Sequence, residues 1–268
     1  MIPSIHTLET HRAGKLKGIF FDLDDTFTTR GKITVSAFKA LWAIKENGLK
    51  AVPITGRPAG WCDHIARMWP VDGVIGENGA FYFWYDEPGH RLRKRFLDTR
   101  EVRAEKRRRL SRIKDEILNT VRGTALASDQ AYRETDLAID FCEDVAPLVR
   151  SEIDRICNVF KKHGASCRIS SIHVNGWFGD YTKIGMTKTL VAEQWGLDLD
   201  RFKDRFLFCG DSPNDEPLFH YFPVSAGVQN VRRFIGEMRH LPAYLSGHEG
   251  GEGFVEIVNT VMEKRQTT

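Results

Sequence analysis

Gly18-Ile19-Phe20-Phe21-Asp22-Leu23-Asp24-Asp25-Thr26 is the stretch that decides the fold. Three of the four residues before Asp22 are Ile or Phe, a run without polar alternation that suits a strand buried on both faces of a parallel sheet. Asp22 then stands at the carboxyl end of that strand, where open α/β sheets gather ligands. Asp22 and Asp24 point to one side of an extended chain, and like charges so close require a cation or a shared proton. Alone, the pair reads equally as a solvated turn that ends a strand, so the choice rests on the remaining chain.

The same pattern recurs. Thr34 is placed to cap a helix with Val35, Phe38, Leu41 and Trp42 on one face, closed by Asn47-Gly48. A strand over 49–54 runs into Thr55-Gly56-Arg57-Pro58, where Gly56 lets backbone amides approach an anion and Pro58 opens a helix. A strand over 73–75 leads into Gly76-Glu77-Asn78-Gly79, a tight turn before the aromatic run 81–85. Later, a helix over 186–195 closes at Gly196, and a strand over 205–209 delivers Gly210-Asp211-Ser212-Pro213-Asn214-Asp215. Smaller signals follow at 224–228, 231–238, 243–245 and 254–262. Residues before Lys17 show no clear period and are expected to form an arm or irregular lead-in.

Between these halves the texture changes. Twelve basic residues fall between Arg91 and Lys114, and Leu110, Ile113, Ile117 and Leu118 follow helix spacing, so an apolar stripe can be buried while the charges stay wet. No aromatic stacking positions interleave with them, which disfavours nucleic acid and favours a solvated face, with a phosphate-rich partner left open. A strand over 136–141, a helix over 147–162 and strands over 166–170 and 172–178 follow. This is an α+β unit of its own, expected as a domain over 84–179 inserted into a core of 1–83 and 180–268. Asp129, Arg133 and Glu134 precede one of its strands, and His173, Asn175 and Trp177 alternate on the returning one. They can share a face suited to sugar hydroxyls, or simply be strand residues.

Composition sets outer bounds. The 268-residue chain is 41% hydrophobic, enough for a real core, and its formal charge of +3 argues for neither nucleic acid nor a membrane surface. Five cysteines without a C-x-x-C pair suggest free thiols in a reducing compartment. With no apolar leader in 1–17 and no run able to span a bilayer, a cytoplasmic location is expected.

Asp22, Asp24, Thr55, Asp211 and Asp215 thus sit at three strand ends that a doubly wound sheet places side by side. Four carboxylates in one crevice imply a hard cation, most simply Mg2+, with coordination positions left for a phosphate.

Asp22-Leu23-Asp24-Asp25-Thr26, Ile54-Thr55-Gly56-Arg57 and Gly210-Asp211-Ser212-Pro213-Asn214-Asp215 resemble, in order, the first, second and fourth motifs of the haloacid dehalogenase superfamily. Gly76-Glu77-Asn78-Gly79-Ala80 followed by a large insert is similar to the subclass IIB members with an α+β cap of C2B type. These include phosphatases of sucrose, trehalose and mannosyl-glycerate phosphates, and phosphomannomutases. The resemblance implies a Rossmann-like core with an inserted cap that sets specificity. It implies Asp22 as nucleophile forming an aspartyl-phosphate and Asp24 as acid and base. Mg2+ would be held by Asp22, the Asp24 carbonyl and Asp211, with Asn214 and Asp215 behind them. Thr55 and Gly56 would bind the phosphoryl oxygens together with a lysine. Lys183 and Lys188 both compete for that role, and Lys183 has the better distance to Gly196. Asn78, Arg133, His173 and Asn175 are the substrate-facing candidates.

The expected activity is Mg2+-dependent hydrolysis of a small phosphorylated metabolite, a sugar phosphate above all. A phosphomutase needs the same acids. A non-catalytic binding protein using the basic helix is the contrasting class, against which the intact acids argue.

Overall fold

The apolar run before Asp22 folds as strand β1 (Gly18–Phe21), all four residues buried. The computed structural model describes residues 2–170 and 172–267. Helix α1 (Thr10–Lys15) leads into β1, and the chain continues through α2 (Val35–Glu46), β2 (Lys50–Pro53), α3 (Ala59–Met68) and β3 (Val74–Gly76). A hairpin of β4 (Phe81–Asp86) and β5 (Arg91–Phe96) follows, then α4 (Arg100–Thr120), β6 (Ala125–Leu126), β7 (Leu137–Asp140), α5 (Arg150–Lys162), β8 (Ser166–Ile169) and β9 (His173–Trp177). The chain returns through α6 (Lys183–Trp195), α7 (Leu199–Phe202), β10 (Phe206–Gly210), α8 (Glu216–Tyr221), β11 (Val224–Gly227), β12 (Tyr244–Leu245) and α9 (Gly250–Gln266).

The main sheet has the order β12-β11-β10-β1-β2, all parallel, with β1 between β10 and β2. Phe21 is in register with both Cys209 and Pro53, so three strands end level and Asp22, Asp211 and Thr55 emerge beside one another. The fold is the expected α/β class, a Rossmann-like parallel sheet with an added antiparallel layer.

That layer is the sheet β6-β7-β9-β8. Alternation along its strands sends Ile139 and Val174 towards α4 and α5, where Leu110, Ile113, Ile117, Ile156 and Phe160 complete a separate core. His173 and Asn175 therefore lie on the opposite face, over the ends of the main sheet.

Several expectations are corrected. The lead-in is ordered: Ile5, Leu8, Ala13 and Leu16 are buried in the main core, and Arg265 Nη1 donates to the carbonyls of Ala13, Gly14 and Leu16 at the end of α1. Helix α2 is capped by Thr34 as expected but buries Ala37, Ala40, Leu41 and Ile44, leaving Val35 88% and Trp42 48% exposed. The face is set by packing on α9, which a local period cannot reveal. The first part of the basic stretch is strand β5, paired with β4, and Leu118 is exposed. Position 83/84 falls inside β4, which pairs with β3. Trp177 stacks on Tyr181 with centroids 5.5 Å apart and joins the main core, away from His173 and Asn175.

Candidate active site

Beyond β1 the chain makes a wide helical turn over Leu23–Phe27, in which Thr28 N donates to Leu23 O at 2.9 Å. Asp25 takes φ +55° there, a conformation unusual for a residue with a Cβ. The turn stands Asp24 at the mouth and places Thr26 Oγ1 3.2 Å from Asp211 Oδ1, tying the loops after β1 and β10 together.

Lys183, the first residue of α6, is brought in by the β3–β4 turn. Gly79, at φ +105°, packs so closely on the Thr182 carbonyl that a Cβ there would collide with it. Lys183 Nζ lies 2.9 Å from Asp22 Oδ1 and 3.0 Å from Asp215 Oδ1, all three side chains buried. Asp215 Oδ2 accepts from Asp211 N at 3.1 Å. Both oxygens of Asp215 are thus engaged, whereas Asp22 Oδ2 and Asp211 Oδ2 receive no protein donor among the described residues. Lys188 is elsewhere, paired with Asp200 at 2.8 Å on the surface.

Asp22, Asp211 and Asp215 each offer an oxygen within 4.8 Å of the others. Burial, partly offset by Lys183, pushes Asp22 up to about 7, with Asp215 and Asp24 adding to the rise. Burial, Asp215, Asp22 and Asp25 raise Asp211 well above the usual carboxylate range. Burial pulls Lys183 down, but Asp215 and Asp22 outweigh it and hold it above its ordinary value. One ammonium does not balance these acids, and their all-oxygen, hard-donor character fits a divalent cation such as Mg2+.

The second motif lies alongside. Thr55 is fully buried, its Oγ1 accepting from Arg57 N at 2.9 Å. Asn78 packs against Gly56, with its amide 3.3–3.4 Å from where a Cβ would stand. Arg57 forms a bidentate pair with Asp24, an arrangement the sequence did not announce.

Arg133 and Glu77 make the joint between the two sheets. Arg133 binds Asp129 through Nε and Nη2 at 2.9 and 3.0 Å, Asp136 at 3.0 Å, and the Gly56 carbonyl at 3.1 Å. Glu77, also buried, accepts from Ala59 N at 3.0 Å, Glu134 N at 2.9 Å, Thr135 N at 2.6 Å and the Thr135 hydroxyl. Asn175 Nδ2 donates to Asp136 at 3.1 Å. His173 Nε2 lies 2.8 Å from Glu143 Oε2 without the alignment of a hydrogen bond. Burial, then Arg133, lowers the pKa of His173.

A cleft of about 480 Å3 opens above, within the range of small-molecule sites. Asp22, Asp24, Gly56, Asp211 and Asn214 line it from the main sheet, and Asn78, Arg133, His173 and Asn175 also face it. Thr55, Lys183 and Asp215 stand behind this lining. Asp25, Arg168 and Arg233 line it too, and the sequence reading had not singled them out as site residues.

Residues 19–107 match the family model described as haloacid dehalogenase-like hydrolase. Solved structures resemble this protein over nearly its full length. A Thermoplasma acidophilum protein is 18% identical with a TM-score of 0.70, covering 92% of this chain and 98% of its own. A trehalose-6-phosphate phosphatase related protein is 13% identical, TM-score 0.60, covering 93% and 99%. The sucrose-phosphatase of Synechocystis, solved with sucrose and phosphate, is 15% identical, TM-score 0.61, covering 92% and 98%. At these identities the likeness is one of fold. No curated protein matches this sequence, and no helix among the described residues is long and apolar enough to cross a membrane.

Proposed function

We propose that this hydrolase is a Mg2+-dependent phosphomonoesterase acting on a small phosphorylated metabolite of the sugar-phosphate class. The observation that carries the reading is the buried bridge from Lys183 Nζ to Asp22 and Asp215 beside Asp211, at the level ends of β1 and β10. The kinship of fold with a sucrose-phosphatase and a trehalose-6-phosphate phosphatase related protein supports the substrate class.

Asp22 and Asp211 would hold the cation through their unengaged oxygens, with the Asp24 carbonyl, while Asp215 and Asn214 fix that shell. When bound, the cation neutralises charge on the phosphoryl group and orients it. Asp22 attacks phosphorus in line, giving an aspartyl-phosphate and releasing the alkoxide. Asp24 gives that alkoxide its proton, then takes one from a water that attacks phosphorus and breaks the aspartyl O–P bond, freeing phosphate and regenerating Asp22. Lys183 and the amides after Thr55 stabilise the phosphoryl oxygens. Residues 97–179 act as the cap, closing over the substrate to exclude water during the first step.

On the basic helix α4, contacts within the chain support the reading of a solvated, self-engaged face. Arg109 stacks on Phe178 at 3.6 Å and Arg103 on Phe96 at 3.8 Å, while Arg107 reaches Glu134 at 3.7 Å. Phosphate release from a panel of phosphorylated sugars, polyols, nucleotides and small acids, with Mg2+ and with chelator, tests the proposal. Metal-dependent release from sugar phosphates is expected; its absence across the panel with metal bound overturns it.

A further inference from the structure

Charge is distributed unevenly about the cleft. Its floor carries Asp22, Asp24, Asp25, Asp211 and Glu237 against Arg57 and Arg233, whereas the described residues of the second sheet and its helices contribute Arg133, Arg150, Arg168, His173 and Asn175 and no carboxylate. Apart from Glu143, which sits 2.8 Å from His173 and 3.7 Å from Arg57, the nearby acids of that layer are already engaged. Asp129 and Asp136 are bound by Arg133, and Asp140 accepts the amides of Cys142, Glu143 and Asp144 at 2.8–2.9 Å. Arg133 is consumed in the same exchange.

Arg168 is not. It stands opposite Asn175 in the β8–β9 register, and since Cys167 and Ile169 pack towards the helices, its side chain leaves from the cleft face with that of Asn175. Among the described residues its guanidinium has no hydrogen bond or ion pair. Among the described residues Arg150 pairs only with Asp154, both more than half exposed, a contact too weak to hold it from a ligand. His173 adds a buried ring nitrogen that has no hydrogen bond among the described residues but faces Glu143 at 2.8 Å.

The phosphoryl end of a substrate is answered by Lys183 and the cation, so these guanidiniums are surplus to it. A neutral sugar would leave them solvated, whereas their planar forks match a carboxylate or a phosphate. We propose that the substrate carries a second anionic group at its non-reacting end and that Arg168, with Arg150, receives it. This inference rests on the phosphatase reading and narrows its substrate to phosphomonoesters bearing a carboxylate or a second phosphate.

The test compares glucose 6-phosphate, gluconate 6-phosphate and glucose 1,6-bisphosphate on the parent, Arg168→Gln and Arg168→Lys. The parent should favour one or both of the compounds with a second anionic group by about tenfold in kcat/KM. The preference should shrink in high salt, largely vanish in Arg168→Gln and partly survive in Arg168→Lys. Which compound leads tells a carboxylate from a second phosphate. A parent that turns over glucose 6-phosphate as well as either of the others overturns the inference and leaves the phosphatase intact. Should nothing be hydrolysed, calorimetry of the same compounds decides separately. A tenfold binding preference for the two compounds with a second anionic group upholds the inference while the hydrolytic reading falls, and equal or absent binding overturns it.

Discussion

Arg57 grips Asp24 with Nε and Nη2 at 2.8–3.1 Å, while its Nη1 lies 3.9 Å from Asp129 and 3.7 Å from Glu143 of the second layer. One guanidinium therefore faces the proposed acid and base on one side and the cap on the other, with its plane against Trp61 at 4.4 Å. Only a planar fork makes such a bidentate pair.

Arg57→Lys keeps the charge and loses the fork. Its kcat should fall about tenfold, and that of Arg57→Ala about a hundredfold, with Asp24 no longer held. Steady-state kinetics on the best substrate of the panel, with circular dichroism to verify folding, checks this. Parent-like kcat in both variants would show that the grip does not position Asp24.

Lys183 and Lys188 lie a little over one turn apart on α6 but have opposite surroundings. Lys183→Ala leaves Asp22 and Asp215 buried without their cation, and should cost at least a hundredfold in kcat/KM. Lys188→Ala removes a solvated pair with Asp200 and should stay within about twofold. The reverse order would move the phosphate lysine.

The three strand ends were legible because each is an apolar run stopped abruptly by Asp or Thr, a pattern carried by neighbouring residues. What stayed hidden is long-range. Burial of Ile5 and Leu8 depends on α9, at the other end of the chain. Val35 and Trp42 share a helical period with buried residues yet face solvent, because α9 meets α2 on Ala37 and Leu41 instead. Arg91–Phe96 reads as basic texture, but as a strand beside β4 it needs to bury only part of its side chains. Arg133 was expected to face substrate. It lines the cleft, yet its donors are taken by Asp129, Asp136 and Gly56, a saturation that no spacing announces.

Glu77 gives a pH signature away from the metal site. Burial and Asp136 push its carboxyl up to about 7, against the opposing pull of Arg133 and its hydrogen bonds. The folded state then binds the proton more tightly than the unfolded chain, whose glutamate titrates near its ordinary value of about 4.5. This contribution to stability is full below about 4.5 and is lost as pH rises towards about 7, amounting to no more than about 3 kcal/mol. Denaturant unfolding between pH 4.5 and 8 should show the parent losing stability relative to Glu77→Gln across that window. Parallel curves would mean that Glu77 is ionised throughout.

In the proposed reaction Asp22 carries the phosphoryl group. Parent protein mixed with substrate and Mg2+ and quenched in acid within the first turnover should yield the peptide containing Asp22 heavier by one phosphoryl group, and chelator or Asp22→Asn should abolish both adduct and phosphate release. Undiminished turnover in Asp22→Asn, or an adduct on any other residue, would contradict the account.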